Sequence, residues 1–390
     1  KGPVVGLKGA CALVPSEMTR EHSWVSGRVA DGCLELVEVP GKGLGFRASR
    51  DIKEGEVLLE DDAYCSSPVG QYEFANMTQQ CCAKADSPFF RDEVMSLTTS
   101  SAEDGSLKGI LNNNVFACSR DISHTALFVA VARFNHSCCP SAFVDADPSH
   151  AIVRSLRDIA EGEEVCISYI PVGASLGARQ QALSRRGFIC TCDRCSEESA
   201  CDPSLDVPCK CGKMRFSAET SAPSTQTCPS CRAVFDRDLC VKRLAEAEAA
   251  NADFRTSQAS PQTFASARAA LAASVGDGSG SGLPPHHEQS LLLLRNLAAC
   301  HRSLAATEQG PEHSQSSGLS VELACRYLRL HEAAFGCKTS QRDKGYLHCL
   351  HQLLSGAGPE LQDRSSWQEK LERACLLQFG QRELPESLRD

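Results

Sequence analysis

Asn135-His136-Ser137-Cys138, taken together with Cys190-Thr191-Cys192-Asp193-Arg194-Cys195, is the stretch on which the reading of this chain turns. Three cysteines within six residues bring soft ligands to one turn, and a closed structural zinc site takes four. Cys138, well upstream, is available as the fourth. A metal held this way would tie a polar Asn-His loop to the segment after Tyr169 and build a pocket from distant pieces of chain.

Working outward, residues 34–60 read as strands. Leu34, Leu36, Val37 and Val39 run into Gly41-Lys42-Gly43-Leu44-Gly45, followed by Phe46, Ala48, Ile52 and Val57-Leu58-Leu59, with a turn at 51–56. Residues 61–108 are acidic and less regular, and read as an inserted, partly helical segment. Strand character returns at Val115-Phe116. A short apolar helix is expected from Ala126 to Phe134, then a hairpin of Phe143-Val144 with Ala151-Ile152-Val153, a turn at 159–164, a strand Val165–Tyr169 and a short basic helix Arg179–Arg186. From Leu239 onward the period becomes 3.6: Leu347, Leu350 and Leu354 share one face, and Leu323, Tyr327, Leu330 and Ala334 another. Gly336 is placed to end a helix. About six helices fit this region as antiparallel pairs, a helical-repeat-like arrangement without a legible repeat signature, interrupted by a Gly/Ser loop at 276–282.

The chain has 390 residues, 42% of them hydrophobic, enough for two or three cores. No apolar run approaches a membrane span and no secretory signal pattern opens the sequence. Its 23 cysteines fall partly in C-x-C and C-x-x-C pairs, the spacing of metal knuckles rather than of a disulfide framework, which favours a reducing compartment. Cys300, Cys325, Cys349 and Cys375 lie on apolar helix faces and read as small buried hydrophobes. A formal charge of −9 argues against a nucleic-acid binder and suits a basic peptide.

Individual motifs carry two readings each. The glycine run is a hairpin loop, or a backbone cradle that a ligand can approach closely for want of Cβ atoms; it is no dinucleotide fingerprint, because a strand follows it. Asn135 and His136 are a polar capping loop or ligand contacts. Tyr169 is a core aromatic with its hydroxyl at the surface, or a reacting group. A second cysteine set, Cys209-x-Cys211 with Cys228-Pro229-Ser230-Cys231, reads as a zinc ribbon with a site of its own, as part of the first cluster, or as thiols that hold no metal.

Taken in order, Gly41-Lys42-Gly43-Leu44, Ile52-Lys53-Glu54-Gly55-Glu56, Asn135-His136-Ser137-Cys138, Gly162-Glu163-Glu164-Val165-Cys166-Ile167-Ser168-Tyr169 and the tail Cys190–Cys195 resemble a SET-domain protein lysine methyltransferase, most closely the SET-and-MYND (SMYD) branch. The motif detail covers roughly 34–60 and 110–195. Only Cys65, Cys81 and Cys82 lie between Glu60 and Asn114, so no MYND finger is legible. The resemblance implies an α+β chain: a β-rich core with a knot-like loop crossing, a cysteine-rich zinc-binding segment and an all-α C-terminal domain. In ranges, these are an N-terminal segment 1–30, a first core part 31–60, an acidic insertion 61–109, a second core part 110–172, a zinc-binding region 173–238 and helices over 239–390.

The resemblance further implies that Gly41, Lys42 and Gly43 contact S-adenosylmethionine through backbone groups, that Asn135 and His136 bind it, and that Asn114, in Asn114-Val115-Phe116, does so as well. It implies that Phe188 borders the cofactor and a lysine channel, that Tyr169 is catalytic, and that Cys138, Cys190, Cys192 and Cys195 hold zinc. Arg185-Arg186-Gly187 stand where the family often has a channel tyrosine. The expected activity is methylation of lysine ε-amino groups in proteins, in cytoplasm or nucleus, with a lysine-containing protein or peptide as partner, no nucleic acid or membrane, and a monomer possible. The alternative is a zinc-stabilised SET protein that serves as an interaction scaffold.

Overall fold

The computed structural model describes residues 23–97, 106–121, 123–200, 223–256, 286–307, 310–336, 343–359 and 361–386, with isolated residues between. After a one-turn helix, α1 (Ser23–Ser26), three small sheets form the first part of the molecule. Strands β1 (Leu34–Val39) and β2 (Gly43–Ala48) pair as an antiparallel hairpin, Val39 opposite Gly43, and β2 pairs with β10 (Glu164–Ile167). β10 in turn runs parallel to the two-residue β7 (Asn135–His136), giving the order β1-β2-β10-β7. A second sheet places β9 (His150–Ser155) between β3 (Val57–Asp62) and β8 (Ala142–Ala146), and a third places β6 (His124–Leu127) between β4 (Cys65–Pro68) and β5 (Phe116–Ala117).

Phe46, Leu58, Leu59, Phe128, Phe134, Val153, Val165 and Ile167 pack between these sheets in one core. A second core, with Met77, Cys81, Ile110, Leu111 and Leu127, joins the third sheet to α2 (Glu73–Cys82) and α3 (Leu107–Asn114). The apolar helix expected at Ala126–Phe134 is instead the end of β6 and a single 3-10 turn, Val131–Arg133. Ala126 faces one core and Leu127 the other, so both faces are apolar and the strand shows no alternation in sequence. The 3-10 turn is capped from afar: the buried carboxylate of Asp61 accepts from the backbone N–H groups of Ala130 (2.7 Å) and Val131 (3.3 Å) and pairs with Arg28 (2.8 Å).

Two residues of the acidic segment 61–108, Asp61 and Glu93, are buried. Glu93 is buried beside Arg133, 3.6 Å away. The strand expected to reach Tyr169 stops at Ile167, and the basic helix expected from Arg179 is α4 (Leu176–Ser184), which starts earlier because the Ser175 hydroxyl accepts from the Ala178 N–H and caps it. The expected hairpin at Phe143–Val153 is present, with Val144 opposite Val153.

After α5 (Asp193–Ala200) and the hairpin of β11 (Thr225–Thr227) and β12 (Val234–Asp236), the chain is helical: α6 (Arg237–Thr256), α7 (Glu288–Thr307), α8 (Pro311–Phe335), α9 (Lys344–Gly356) and α10 (Arg364–Phe379). These are the five long helices of this region among the described residues. The glycine/serine loop at 276–282 lies outside them. Leu347, Leu350 and Leu354 are buried together with Leu323 and Tyr327, and Gly336 ends α8 at φ 76°, a left-handed value glycine adopts readily. Cys300, Cys349 and Cys375 are buried thiols.

The helical layer touches the sheets directly. Phe379 stacks edge-on against Phe143 of β8, 5.5 Å between ring centres. Asp343 caps α9 by accepting from the Tyr346 N–H at 2.9 Å while its other oxygen accepts from Gly173 at 3.3 Å, and Glu288 of α7 accepts from the Ser175 hydroxyl at 3.1 Å. The link 170–175 is thus fastened to the helices on one side and leads into the site on the other.

Candidate functional site

The β1–β2 hairpin, β7 and the end of β10 converge on one cleft of about 1320 Å³. Gly41 and Gly43 have φ near +75°, which lets the hairpin loop turn back over the cleft. Gly45 faces Asn135 across the sheet. A Cβ at this position would overlap the Asn135 amide nitrogen and lie 2.9 Å from Val39 Cγ2, so only glycine lets β2 pass the Asn135 side chain.

Glu164, read from sequence only as part of a turn, organises this wall. Its carboxylate accepts from Lys42 Nζ (2.6 Å) on the hairpin loop and from Asn135 Nδ2 (3.0 Å) on β7. One N–H of the Asn135 amide is thus held by Glu164, which leaves the second N–H and the amide oxygen.

His136 is buried, and its orientation is fixed at both nitrogens. Nδ1 accepts from the Tyr169 backbone N–H at 3.0 Å, so in the neutral ring the proton sits on Nε2, which lies 3.2 Å from Cys138 Sγ. Burial pulls the imidazole down to about 4. The ring is therefore neutral near pH 7. Tyr169, His136 and Phe188 form one aromatic corner, with ring centres 5.2 Å (His136–Tyr169), 6.0 Å (His136–Phe188) and 6.4 Å (Tyr169–Phe188) apart. The Tyr169 hydroxyl donates to the Phe134 carbonyl at 2.6 Å, and burial raises its pKa above the usual tyrosine range. Arg186 covers the Tyr169 ring, its guanidinium carbon 5.3 Å from the centroid, and donates to the Asn113 carbonyl at 2.7 Å.

Beneath this corner, Cys138, Cys190, Cys192 and Cys195 bring four sulfurs within 4.8 Å of one another. A tetrahedron of Zn–S bonds near 2.3 Å has S···S edges of roughly 3.8 Å, so the donor set and its spacing suit zinc. Gln180 of α4 grips the knuckle, donating to the Cys190 carbonyl (2.8 Å) and accepting from the Cys190 N–H (3.0 Å). Two buried arginines flank it: Arg179 lies 3.7 Å from Cys195 Sγ, and Arg194 donates to the carbonyls of Cys138 (3.1 Å) and Val172 (2.6 Å). Four thiolates around one divalent cation leave two net negative charges, which these guanidiniums oppose.

Asn114 is placed otherwise. Its amide donates to the Ile110 carbonyl of its own helix at 2.8 Å, and the neighbouring Asn113 borders the cleft. Of the second cysteine set, Cys228 and Cys231 sit at the tip of the β11–β12 hairpin, where the Cys228 carbonyl accepts from the Arg232 N–H at 3.0 Å; Cys209 and Cys211 lie outside the described residues.

The family model for the SET domain matches residues 43–170. The chain carries a SET domain. This domain includes β2 through Tyr169 and the whole Asn135–Cys138 loop, whereas Cys190, Cys192, Cys195, Arg186 and Phe188 come from the segment that follows it. Similar curated proteins include the histone-lysine N-methyltransferase ASHR2 of Arabidopsis thaliana, 37% identical over 20% of this chain and 22% of its own length. Others are the N-lysine methyltransferases SMYD2-B of Xenopus laevis (34% identical; 27% of this chain, 24% of that protein) and SMYD2 of Homo sapiens (38%; 20% and 18%). The chain thus spans about a fifth of the length of these relatives. No helix among the described residues is long and apolar enough to cross a membrane.

Sequence reasoning missed Glu164, Arg179 and Arg194 as parts of the SET-domain site and its cysteine cluster. Glu164 stands in an ordinary Gly-Glu-Glu turn. The only signal for it was the offset of β10 against the glycine hairpin, and that is a pairing fact rather than a motif.

Proposed function

We propose that the protein is an S-adenosylmethionine-dependent protein-lysine methyltransferase. The observation that carries the reading is the convergence, in one SET-domain cleft, of the glycine hairpin, the Glu164-fixed Asn135 and the Tyr169–His136–Phe188 corner. In this reading Gly41, Lys42 and Gly43 offer backbone groups to the cofactor, and Asn135 and His136 hold its polar parts. The absence of a Cβ at Gly45 and the Glu164-fixed Asn135 amide supply the kind of cradle such a ligand needs. Bound S-adenosylmethionine supplies an electrophilic methyl group. The same reading assigns one zinc to Cys138, Cys190, Cys192 and Cys195, a second to Cys228 and Cys231 with Cys209 and Cys211, and a knot-like crossing to the region of the parallel β7–β10 pair.

Methyl transfer to an amine is an in-line displacement, so the chain contributes position and exclusion of water. Phe188 and the Tyr169 ring bound an apolar channel for a lysine side chain. The Tyr169 hydroxyl, anchored on the Phe134 carbonyl, keeps its proton near pH 7 and offers its lone pairs to the amine. The acceptor must arrive neutral although a free lysine has a pKa of ~10.4. Desolvation among these rings favours the neutral form. The substrate is a lysine-containing protein.

Incubation of the chain with labelled S-adenosylmethionine and a lysine-peptide array tests the reading. Transfer to lysine is expected, and Tyr169→Phe should lower kcat by at least about 100-fold while the thermal shift on cofactor addition persists. No transfer together with no shift at saturating cofactor would leave an interaction scaffold as the function.

A further inference from the structure

At the wall of the cleft, the Tyr169 ring carries a fixed cation. Arg186 follows α4, and its guanidinium is held from two sides: the carbonyl of Asn113, in the last turn of α3, accepts from Nη1 at 2.7 Å, and the Tyr169 ring lies beneath the guanidinium carbon at 5.3 Å. A helix C-terminus leaves carbonyls without intrahelical partners and favours a positive group. Among the described residues no carboxylate pairs with Arg186, and an arginine keeps its charge at every working pH.

The other charged and titratable groups around this corner do not cancel it. Glu164 on β10 is engaged by Lys42 of the hairpin loop and by Asn135. His136 on β7 accepts from the Tyr169 backbone N–H at Nδ1. Cys166 on β10 is a buried thiol whose pKa is pushed up to about 12. The negative charge of the cysteine cluster beneath the corner is opposed by two arginines of its own, Arg179 on α4 and Arg194. An amine seated against Tyr169, within about 6 Å of the ring centre, is no more than roughly 11 Å from the guanidinium in a partly desolvated corner.

From this geometry we propose that Arg186 is a positioning residue that selects the neutral form of the acceptor amine, by setting an unpaired cation beside the place where the amine must stand. The inference rests on the methyltransferase reading. An ammonium entering the corner gives its proton to solvent before it can stay; an amine does not have to. A like charge at this range lowers the pKa of a bound amine by on the order of one unit. Arg186 therefore sets the pH at which the enzyme begins to work, and the preferred ligand class is a side chain of lysine length with an uncharged end.

The experiment compares wild type, R186Q and R186K in two measurements. In the first, kcat at saturating lysine peptide is followed against pH with labelled cofactor, because kcat reports the bound amine. R186Q should shift the acid limb upward by about one pH unit, whereas R186K should keep it near the wild-type position. In the second, binding of that peptide is compared with binding of the same peptide carrying norleucine, a neutral isostere, at pH 7. The wild type should favour norleucine, and R186Q should shrink this preference about tenfold, as one pKa unit requires. Should R186Q fail to fold, Arg186→Met, which keeps the aliphatic packing, takes its place in both measurements. Superimposable pH profiles, or an unchanged lysine-to-norleucine ratio, overturn the proposal while leaving methyl transfer intact. A wild type that methylates no lysine peptide overturns the methyltransferase reading and this inference together.

Discussion

Gly45 is the residue at which backbone and site cannot be separated. Its neighbour across the sheet, Asn135, stands where a Cβ would go, with Val39 Cγ2 2.9 Å from the same point. Gly45→Ala should therefore cost about 1–3 kcal/mol of stability by overpacking, and should turn Asn135 away from Glu164. Denaturant melts measure the first effect, and titration with S-adenosylmethionine followed by thermal shift measures the second, where at least tenfold weaker binding is expected. Residue chemistry was the most legible layer of this chain. Asn135, His136, Tyr169, Phe188 and the four cysteines were named from sequence, and the structure brings all of them to one place, because their spacing reflects chemistry that few other residue sets share. Asn114 was named too, and its amide nitrogen donates to the Ile110 carbonyl of its own helix. Glu164 was not named, because a glutamate in a turn carries no signal until the strand that follows finds its partner.

At the scale of elements, the pairing of β3 with β9 shows how sheet register places charges. His150 lies directly opposite Asp62, and its ring nitrogens reach Asp62 (3.0 Å) and Glu60 (3.2 Å). Partial burial alone would pull this imidazole down, but the two carboxylates outweigh it and raise its pKa above 6.5. A folded-state pKa above the unfolded one contributes stability that is complete below the unfolded value and is lost as pH rises through the folded value. His150→Gln should thus destabilise the protein at pH 5.5, by no more than about 0.5 kcal/mol for so exposed a pair, and leave it unchanged at pH 9. Chemical denaturation at the two pH values decides it. β1 was legible because Glu35 and Glu38 stand exposed on it, and β9 because burial alternates along it. β6 was not, since cores on both sides erase its alternation.

Over the whole molecule, two ties hold the SET domain, the cysteine knuckle and the helices together. One is the cysteine cluster. Stripping bound metal with a strong chelator should release about one zinc from it, lower the melting temperature and abolish S-adenosylmethionine binding, since Cys138 lies next to His136 and Phe188 lies two residues before Cys190. Metal analysis before and after Cys190→Ser assigns the ion to this cluster, and apo-protein that binds the cofactor normally would separate the two functions. The other tie is the helical layer: Phe379→Ala empties the edge contact with Phe143 and should cost about 3–4 kcal/mol in a denaturant melt. Asp343, which caps α9 and holds Gly173, joins the same layer to the link that leads into Tyr169.

The sequence by itself determined the strand-rich first half, the helical second half, the four-cysteine set and the aromatic and polar side chains of the cleft. Periodicity and ligand spacing are local properties and survive without a partner. Only the tertiary structure decided that Glu164 fixes Asn135, that Asp61 is buried under a 3-10 turn, and that Arg186 covers Tyr169. Each of these depends on a contact between residues distant in sequence, and burial, not residue type, sets what a charge does there.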